Sequence, residues 1–392
     1  KKAFSAGEMG CMYLFFSDCL FCRAVNNPRS PGCPLWWQAF RVIISLEEEG
    51  WPVLVLLVAI MGALIPTAFY VLFVWWLDRY EKEPFWLLAM AFLWGAVPAA
   101  VLSVAFEFLF DIPIYAIGGE GLAANLVSVS ISAPLIEESC KGIALIGLVL
   151  LFRREFDNVL DGIVYGAVIG FGFAMTEDIV AYFIPILSEE GLGTGLVNIF
   201  IRTIVFGFNH GFWTGVTGAA VGYARLSRDW GRRLLMPVSG WAAAISLHGI
   251  HNAGATLVEQ TLCLSLGLSL VVDWGGVLLL LVVAMLVLRK ESRWIQQELA
   301  EEVRRGALSP REFELLRSAG QRLRVRWRAQ GRSGRKAYRA VGRYFQCATE
   351  LAFKKQHLRS LGNEGNNLAE VQRLRQELAV CRAHAWPWLA QS

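Results

Sequence analysis

The sequence predicts an all-α polytopic membrane protein: a bundle of about seven transmembrane helices followed by a helical cytoplasmic C-terminal tail. Three observations carry this expectation. The 392 residues are 55% hydrophobic and their mean hydropathy is +0.44, too apolar for an ordinary soluble chain. Seven apolar runs are each long enough to cross about 30 Å of hydrocarbon at 1.5 Å per residue. The net charge of +4 hides an asymmetry: from Arg289 onward 22 Lys/Arg face 10 Asp/Glu, so the tail is +12 and the remainder −8. A basic tail behind an apolar body reads as a cytoplasmic domain on a membrane anchor.

The chain divides into 1–50, 51–288 and 289–392. Residues 1–50 read as an extra N-terminal segment, disordered or non-native in character, with an amphipathic stretch from Trp36 to Ile44. They hold no clean signal peptide, because the short run from Cys11 to Cys22 is interrupted by Asp18. Cys19 and Cys22 form one CxxC without a second pair, and the eight cysteines form no disulfide framework. The seven spans fall near 52–76, 86–110, 122–152, 161–186, 196–224, 235–258 and 264–288. Basic residues follow the first, third, fifth and seventh spans: Arg79 and Lys82; Arg153 and Arg154; Arg225, Arg228, Arg232 and Arg233; Arg289 and Lys290. The connections 111–121, 187–195 and 259–263 carry no Lys or Arg. The positive-inside rule then places the N-terminus outside and the C-terminus in the cytoplasm of a multi-pass cell-membrane protein. In the tail, Trp294 to Arg305 is amphipathic, and Ser309-Pro310-Arg311-Glu312 fits a helix-starting capping box. Arg322, Arg324, Arg326 and Arg328 form a basic run suited to anionic lipid. No nucleic-acid motif accompanies it, and no nucleic-acid partner is expected.

Charge in the wrong place marks the candidate site. Glu137, Glu138 and Lys141 lie inside the third apolar run, where even a mild insertion scale charges roughly 2.5–3.5 kcal/mol per ionised residue. The fourth span holds Glu177 and Asp178, the fifth Asn209, His210, Trp213 and Thr214, and the sixth His248, His251 and Asn252. Counted from the cytoplasmic boundary of each span, Glu137, Glu177, His210 and His248 stand 15 or 16 residues in. That is about 23 Å up a core of roughly 30 Å, in the outer half of the bilayer. Unrelated structural polar residues have no reason to share a depth. Gly162, Gly166 and Gly170, and likewise Thr214, Gly218 and Gly222, repeat at small-xxx-small spacing, which lets helices approach closely.

Carboxylates and imidazoles at one level suit a hydrolytic metal site. Catalytic zinc takes three protein ligands of this kind and keeps a place for water. Glu177, His210 and His248 are the candidate ligands of a Zn²⁺ ion. Glu137 and Glu138 are candidates for base and orienting partner. Lys141, four residues from Glu137 and three from Glu138, can neutralise one carboxylate. Helix spacing favours Glu137 as its partner and leaves Glu138 freer. Asn252 shares a helix face with His248 and is the candidate oxyanion donor. Ser139 and Cys140 have no assigned base and read as small packing residues. His251 lies off the His248–Asn252 face, and Asp178 reads as a capping or vestibule residue.

Residues 65–255 resemble the PrsW family of bacterial intramembrane metalloproteases, which is similar to the type II CAAX prenyl proteases. The resemblance rests on Asp78-Arg79-Tyr80-Glu81-Lys82-Glu83-Pro84, on Glu137-Glu138-x-x-Lys141, on Asp161-Gly162 through Phe173-x-x-x-Glu177, on His210 with Thr214, and on His248-x-x-x-Asn252. It implies a peptidase that cuts single-span membrane proteins on the extracytoplasmic side, with an anti-sigma factor in regulated proteolysis as the substrate of the type member. It also implies that Glu137, Glu138 and His210 are essential, with Glu177 and His248 in the same site. Two positions depart from the CAAX enzymes, which carry an Arg after the glutamate pair and a His where this chain has Glu177. Some of those relatives have been argued to work as metal-independent glutamate peptidases, so that alternative stands beside the zinc reading. A non-catalytic membrane scaffold is a further alternative. A proton carrier is disfavoured, because the cytoplasmic 20 Å or so of these spans is nearly free of ionisable groups.

Overall fold

A computed structural model describes residues 51–389 apart from 79, 81, 153, 154, 157, 364 and 365. The expectations for 1–50, for the Cys19/Cys22 pair, and for Arg79, Arg153 and Arg154 lie outside the described residues. All regular structure among the described residues is helical. Besides a short helix at Leu122–Val127, the helices are α1 (Trp51–Leu77), α2 (Phe85–Gly118), α3 (Ala133–Leu151), α4 (Val159–Glu177), α5 (Ile184–Phe200), α6 (Asn209–Arg225), α7 (Trp230–Thr256), α8 (Leu264–Arg304), α9 (Pro310–Leu316), α10 (Ala319–Leu361) and α11 (Asn367–Leu389). Among the described residues, four stretches are long and apolar enough to cross a membrane: Trp51–Leu77, Phe85–Gly118, Val159–Arg225 and Leu264–Arg304. The third takes in two of the expected spans. α3 and α7 fall short of the same measure for a physical reason. Glu137, Glu138 and Lys141 bring three charges into α3, and His248, His251 and Asn252 lower the hydropathy of α7.

The chain forms two compact units. Among the described residues, the first contains Trp51–Trp75 together with Pro84–Ala224 and Leu234–Leu281. Its centre is α4, whose residues 160–173 are all buried. α4 starts on a complete capping box: Asn158 Oδ1 accepts from the Asp161 N–H and Asp161 Oδ2 accepts from the Asn158 N–H, both at 3.0 Å. The small-xxx-small repeats of α4 and α6 meet each other. A Cβ at Gly162 would lie 2.0 Å from the Gly218 carbonyl oxygen, and one at Gly170 2.2 Å from that of His210. Only glycine allows backbones this close.

Four π-helical turns interrupt the unit's helices, at Gly95–Ala99, Ser128–Ser132, Asp178–Phe183 and Ile201–Val205. Three have a visible cause. Pro98 lies inside the first, and Pro134 and Pro185 follow the second and third so that each ring meets the carbonyl four residues back, at Ser130 and Ala181. The second turn positions α7. A Cβ at Gly249 would lie 2.3 Å from the Ser130 carbonyl oxygen, and Asn252 Nδ2 donates to the Val129 carbonyl at 2.9 Å. This sets His248 against the helix that carries the glutamate pair.

The second unit contains Trp76–Glu83, Arg225–Arg233 and the chain from Val282 on. The capping box read from the sequence begins α9, with Ser309 N–H donating to Glu312 Oε2 at 2.8 Å and Glu312 N–H to Ser309 Oγ at 3.2 Å. α10 breaks at Gly334, which adopts φ 75°. Ile295, Leu299, Leu316, Val341, Phe345, Leu351, Leu374 and Leu378 form its core, with Tyr80 packed against it. Two expectations are corrected here. Cys347 and Cys381 are bonded as a disulfide joining α10 to α11, a pairing set by the register of two helices and invisible in the 34-residue spacing. Arg322 is buried, its guanidinium donating to the Leu316 carbonyl at 2.6 Å and to Thr349 Oγ1 at 2.7 Å. Residues two apart on a helix point to different sides, so the arginine run does not form one face.

Candidate active site and metal centre

α3, α4, α6 and α7 bring the predicted residues together inside the first unit. Glu137 and Glu138 share one turn of α3 and Lys141 lies on the next, and all three are buried. Lys141 Nζ donates to Glu138 Oε1 at 2.8 Å and to Glu137 Oε2 at 3.1 Å. It also lies 3.0 Å from His210 Nδ1 and 3.8 Å from the centre of the Phe173 ring. The ammonium therefore serves both carboxylates, where helix spacing alone favoured Glu137.

The two glutamates differ in how far they are committed. Glu138 accepts from Lys141 and, through Oε2, from Thr214 Oγ1 at 3.0 Å, and His248 Nδ1 lies 3.3 Å from its Oε1. Glu137 has Lys141 as its hydrogen-bond partner on Oε2, with ring nitrogens of His210 and His248 each 4.0 Å away. Thr214 holds Glu138 from α6, and His248 of α7 lies against it.

His210 is held from its far side. Its Nε2 lies 2.9 Å from Glu177 Oε2. A carboxylate there accepts a hydrogen bond from Nε2–H, which favours the tautomer whose Nδ1 lone pair faces Lys141 and Glu137. His248 stacks on the Trp213 indole with ring centres 4.0 Å apart. One ligating atom from each of Glu137, Glu138, His210 and His248 can be chosen so that all four lie within 4.8 Å of one another. These are buried nitrogen and oxygen donors, a set whose chemistry fits a divalent metal of the zinc type. Glu177 stands behind His210, outside that cluster. Asn252 lines the adjoining pocket with His210, His248, Glu177 and Trp213, one of its amide hydrogens directed to Val129.

Two further residues, Arg202 and Asp273, belong to this pocket or its wall, and the sequence reading passed over them. Arg202 pairs with Asp178 and, at 3.0 Å, with Glu177, its guanidinium 3.4 Å from the centre of the Tyr182 ring. His251 Nδ1 lies 2.7 Å from Oδ2 of Asp273, which also accepts from Asn209 Nδ2 at 3.0 Å. Arg202 and Asp273 are isolated charges in apolar runs, the same signal that exposed Glu137.

The family model for PrsW family intramembrane metalloproteases matches residues 83–288. Among curated proteins, Protease PrsW of Bacillus subtilis (strain 168) is 27% identical over 200 residues, covering 51% of this chain and 83% of that protein. Protease PrsW of Oceanobacillus iheyensis is 29% identical over 200 residues, covering 50% of this chain and 82% of the relative. That of Geobacillus kaustophilus is 28% identical over 179 residues, 45% and 69% of the two chains. No solved structure gives a significant match. The matched region takes in α2 to the membrane part of α8 and every residue of the Glu–His cluster, so this chain belongs to the PrsW family of intramembrane metalloproteases and is a membrane peptidase.

Proposed function

We propose that the chain hydrolyses a peptide bond of single-span membrane proteins in the outer half of the bilayer, with Glu137 as base and a zinc ion held by His210, His248 and Glu138. The observation that carries this is the convergence of two carboxylates and two imidazoles from three helices into one buried cluster. A bound zinc supplies Lewis acidity toward the scissile carbonyl and the attacking water. Glu138, held by Thr214 and Lys141, is the oriented carboxylate. Glu137 is less committed and is the group that takes the proton of the attacking water and returns one to the leaving amine. Glu177 fixes the His210 tautomer. Asn252, with one amide hydrogen given to Val129, presents the other to the developing oxyanion. The apolar wall excludes bulk water, which strengthens each of these interactions.

The family resemblance extends this reading to an anti-sigma factor cut on its extracytoplasmic side. The seven-span topology with an external N-terminus and a cytoplasmic tail rests on the charge alternation of the loops. The tail meets anionic lipid through exposed basic residues of α10 such as Arg324, Arg328, Arg335 and Arg339. One observation favours a second reading, a metal-independent glutamate peptidase: the Lys141 ammonium already bridges both glutamates and His210.

The test is His210→Ala in the full chain, reconstituted with a single-span reporter and compared at equal folded amount. Cleavage is expected to fall at least about 100-fold. Elemental analysis of the purified natural chain is expected to find close to one zinc; active protein with none supports the metal-independent reading. Full activity of His210→Ala contradicts both.

A further inference from the structure

Lys141 occupies the space that the peptidase reading assigns to a cation. Its side chain is fully buried. Its Nζ touches donor atoms of three of the four cluster residues, at 2.8 Å from Glu138, 3.1 Å from Glu137 and 3.0 Å from His210 Nδ1. One donor atom from each of the four residues can be chosen so that all lie within 4.8 Å of one another, and the ammonium already sits against three of those residues. A zinc ion would need contacts of roughly 2.0–2.2 Å to the same oxygens and ring nitrogens. Two positive charges at that separation in a site shielded from water repel strongly. The ammonium and the metal therefore compete for the same electron pairs.

We infer that Lys141 is a built-in competitor for the metal ion, so that loading is a displacement and Lys141 sets how tightly, and which, divalent ion the site takes. The inference rests on the zinc reading above. The competition has a use. With two carboxylates facing each other in an apolar bundle, the ammonium neutralises one charge before any ion arrives, which lets α3 insert and pack. It also raises the threshold for ions that bind weakly to such a site. Mg²⁺ prefers six oxygens and gives up water reluctantly, and it gains little from two imidazoles. Zn²⁺ gains from both imidazoles and is the ion able to displace the ammonium. The Lys141 stem is flexible, and the Phe173 ring 3.8 Å away offers the retracting charge a π face to rest on.

The test measures binding and does not depend on activity. The purified full chain in detergent is titrated with Zn²⁺ and, separately, with Mg²⁺, against a chromophoric chelator. The natural chain is compared with Lys141→Met, which keeps length and removes charge. The variant is expected to bind Zn²⁺ at least tenfold tighter and to gain a larger rise in Tm on zinc addition. Adding His210→Ala to Lys141→Met is expected to remove that gain, which locates it at this cluster. Equal or weaker zinc binding by Lys141→Met overturns the inference. If neither protein binds zinc, the inference falls together with the zinc reading. If only Lys141→Met binds one zinc per chain, the competition stands while the zinc reading of the natural enzyme falls. Should Lys141→Met fold only in zinc, Lys141→Gln and the natural chain are both prepared in zinc and moved to excess chelator. Slower zinc loss from Lys141→Gln is expected, and equal or faster loss overturns the inference.

Discussion

At the scale of single residues, a charge inside an apolar run stays there only with a partner. Glu137, Glu138, His210 and His248 were legible because each sits in a stretch that otherwise reads as lipid-soluble, and because Glu137, Glu177, His210 and His248 stand 15 or 16 residues from the boundaries read for their spans. Asp273 and Arg202 obey the same rule but have no companion beside them in sequence, and their partners come from other helices. Asp273 is almost fully buried and bonded to His251 and Asn209. Asp273→Asn turns one acceptor face into a donor and releases the His251 ring at the pocket wall. Activity is expected to fall about 10–100-fold, the range seen for groups that orient metal-site and active-site histidines, with Tm nearly unchanged. Unaltered turnover would make the pair a packing device. Arg202→Ala leaves Glu177 and Asp178 without their cation. It is expected to lower stability by about 3–5 kcal/mol, as when one partner of a buried pair is removed, a loss that thermal unfolding in detergent reads directly.

At the scale of elements, the glycine repeats foretold close packing, and the structure adds which helix meets which and in what register. The register cannot be read from one repeat, because it depends on both helices at once. Gly170 is the sharpest place to test it. Its missing Cβ would lie 2.2 Å from the His210 carbonyl oxygen and 2.5 Å from the carbonyl carbon, backbone atoms that cannot rotate away. Gly170→Val is expected to push α6 off α4 and to cost at least about 1–3 kcal/mol, the usual penalty for overpacking. Activity is lost with it, because His210 travels with α6; wild-type activity and Tm would show that the seam is not tight. The π turns were not legible beforehand, although Pro98, Pro134 and Pro185 mark three of them in retrospect. In the second unit, burial pushes the Glu312 carboxyl up, but the Arg382 guanidinium at 2.7 Å and the Ser309 cap outweigh it and hold the group below the usual carboxylate range. A lowered folded value contributes stability that is present above the unfolded pKa and is lost as pH falls through the folded one. Unfolding of this unit is therefore expected at lower temperature below about pH 4, and Glu312→Gln is expected to flatten that dependence; an unchanged acid limb would remove Glu312 from the explanation.

At the scale of the molecule, hydropathy announced a helical membrane body and charge a basic end; of the two compact units, the second takes in Trp76–Glu83 and Arg225–Arg233 as well as the chain from Val282, an arrangement that the linear division of the sequence did not foresee. The count of spans is harder to read from apolarity, since α3 and α7, which carry the glutamate pair and His248, are not among the four stretches apolar enough to cross a membrane. Topology is the matching test. Reporters fused after residue 389 and inserted in 187–195 are expected on opposite sides of the membrane, with the tail inside; both on one side would refute the charge alternation. The Cys347–Cys381 link was not legible at all, since a 34-residue spacing carries no signal. The account as a whole turns on one carboxylate. Glu137→Gln keeps the shape of the side chain and removes its ability to take a proton, so cleavage of a single-span reporter by this variant, measured at matched folded amount and matched zinc content, is the most direct measurement. The expected result is a rate at least about 100-fold below the natural chain; a rate equal to it would contradict the assignment of the α3 glutamate as the base.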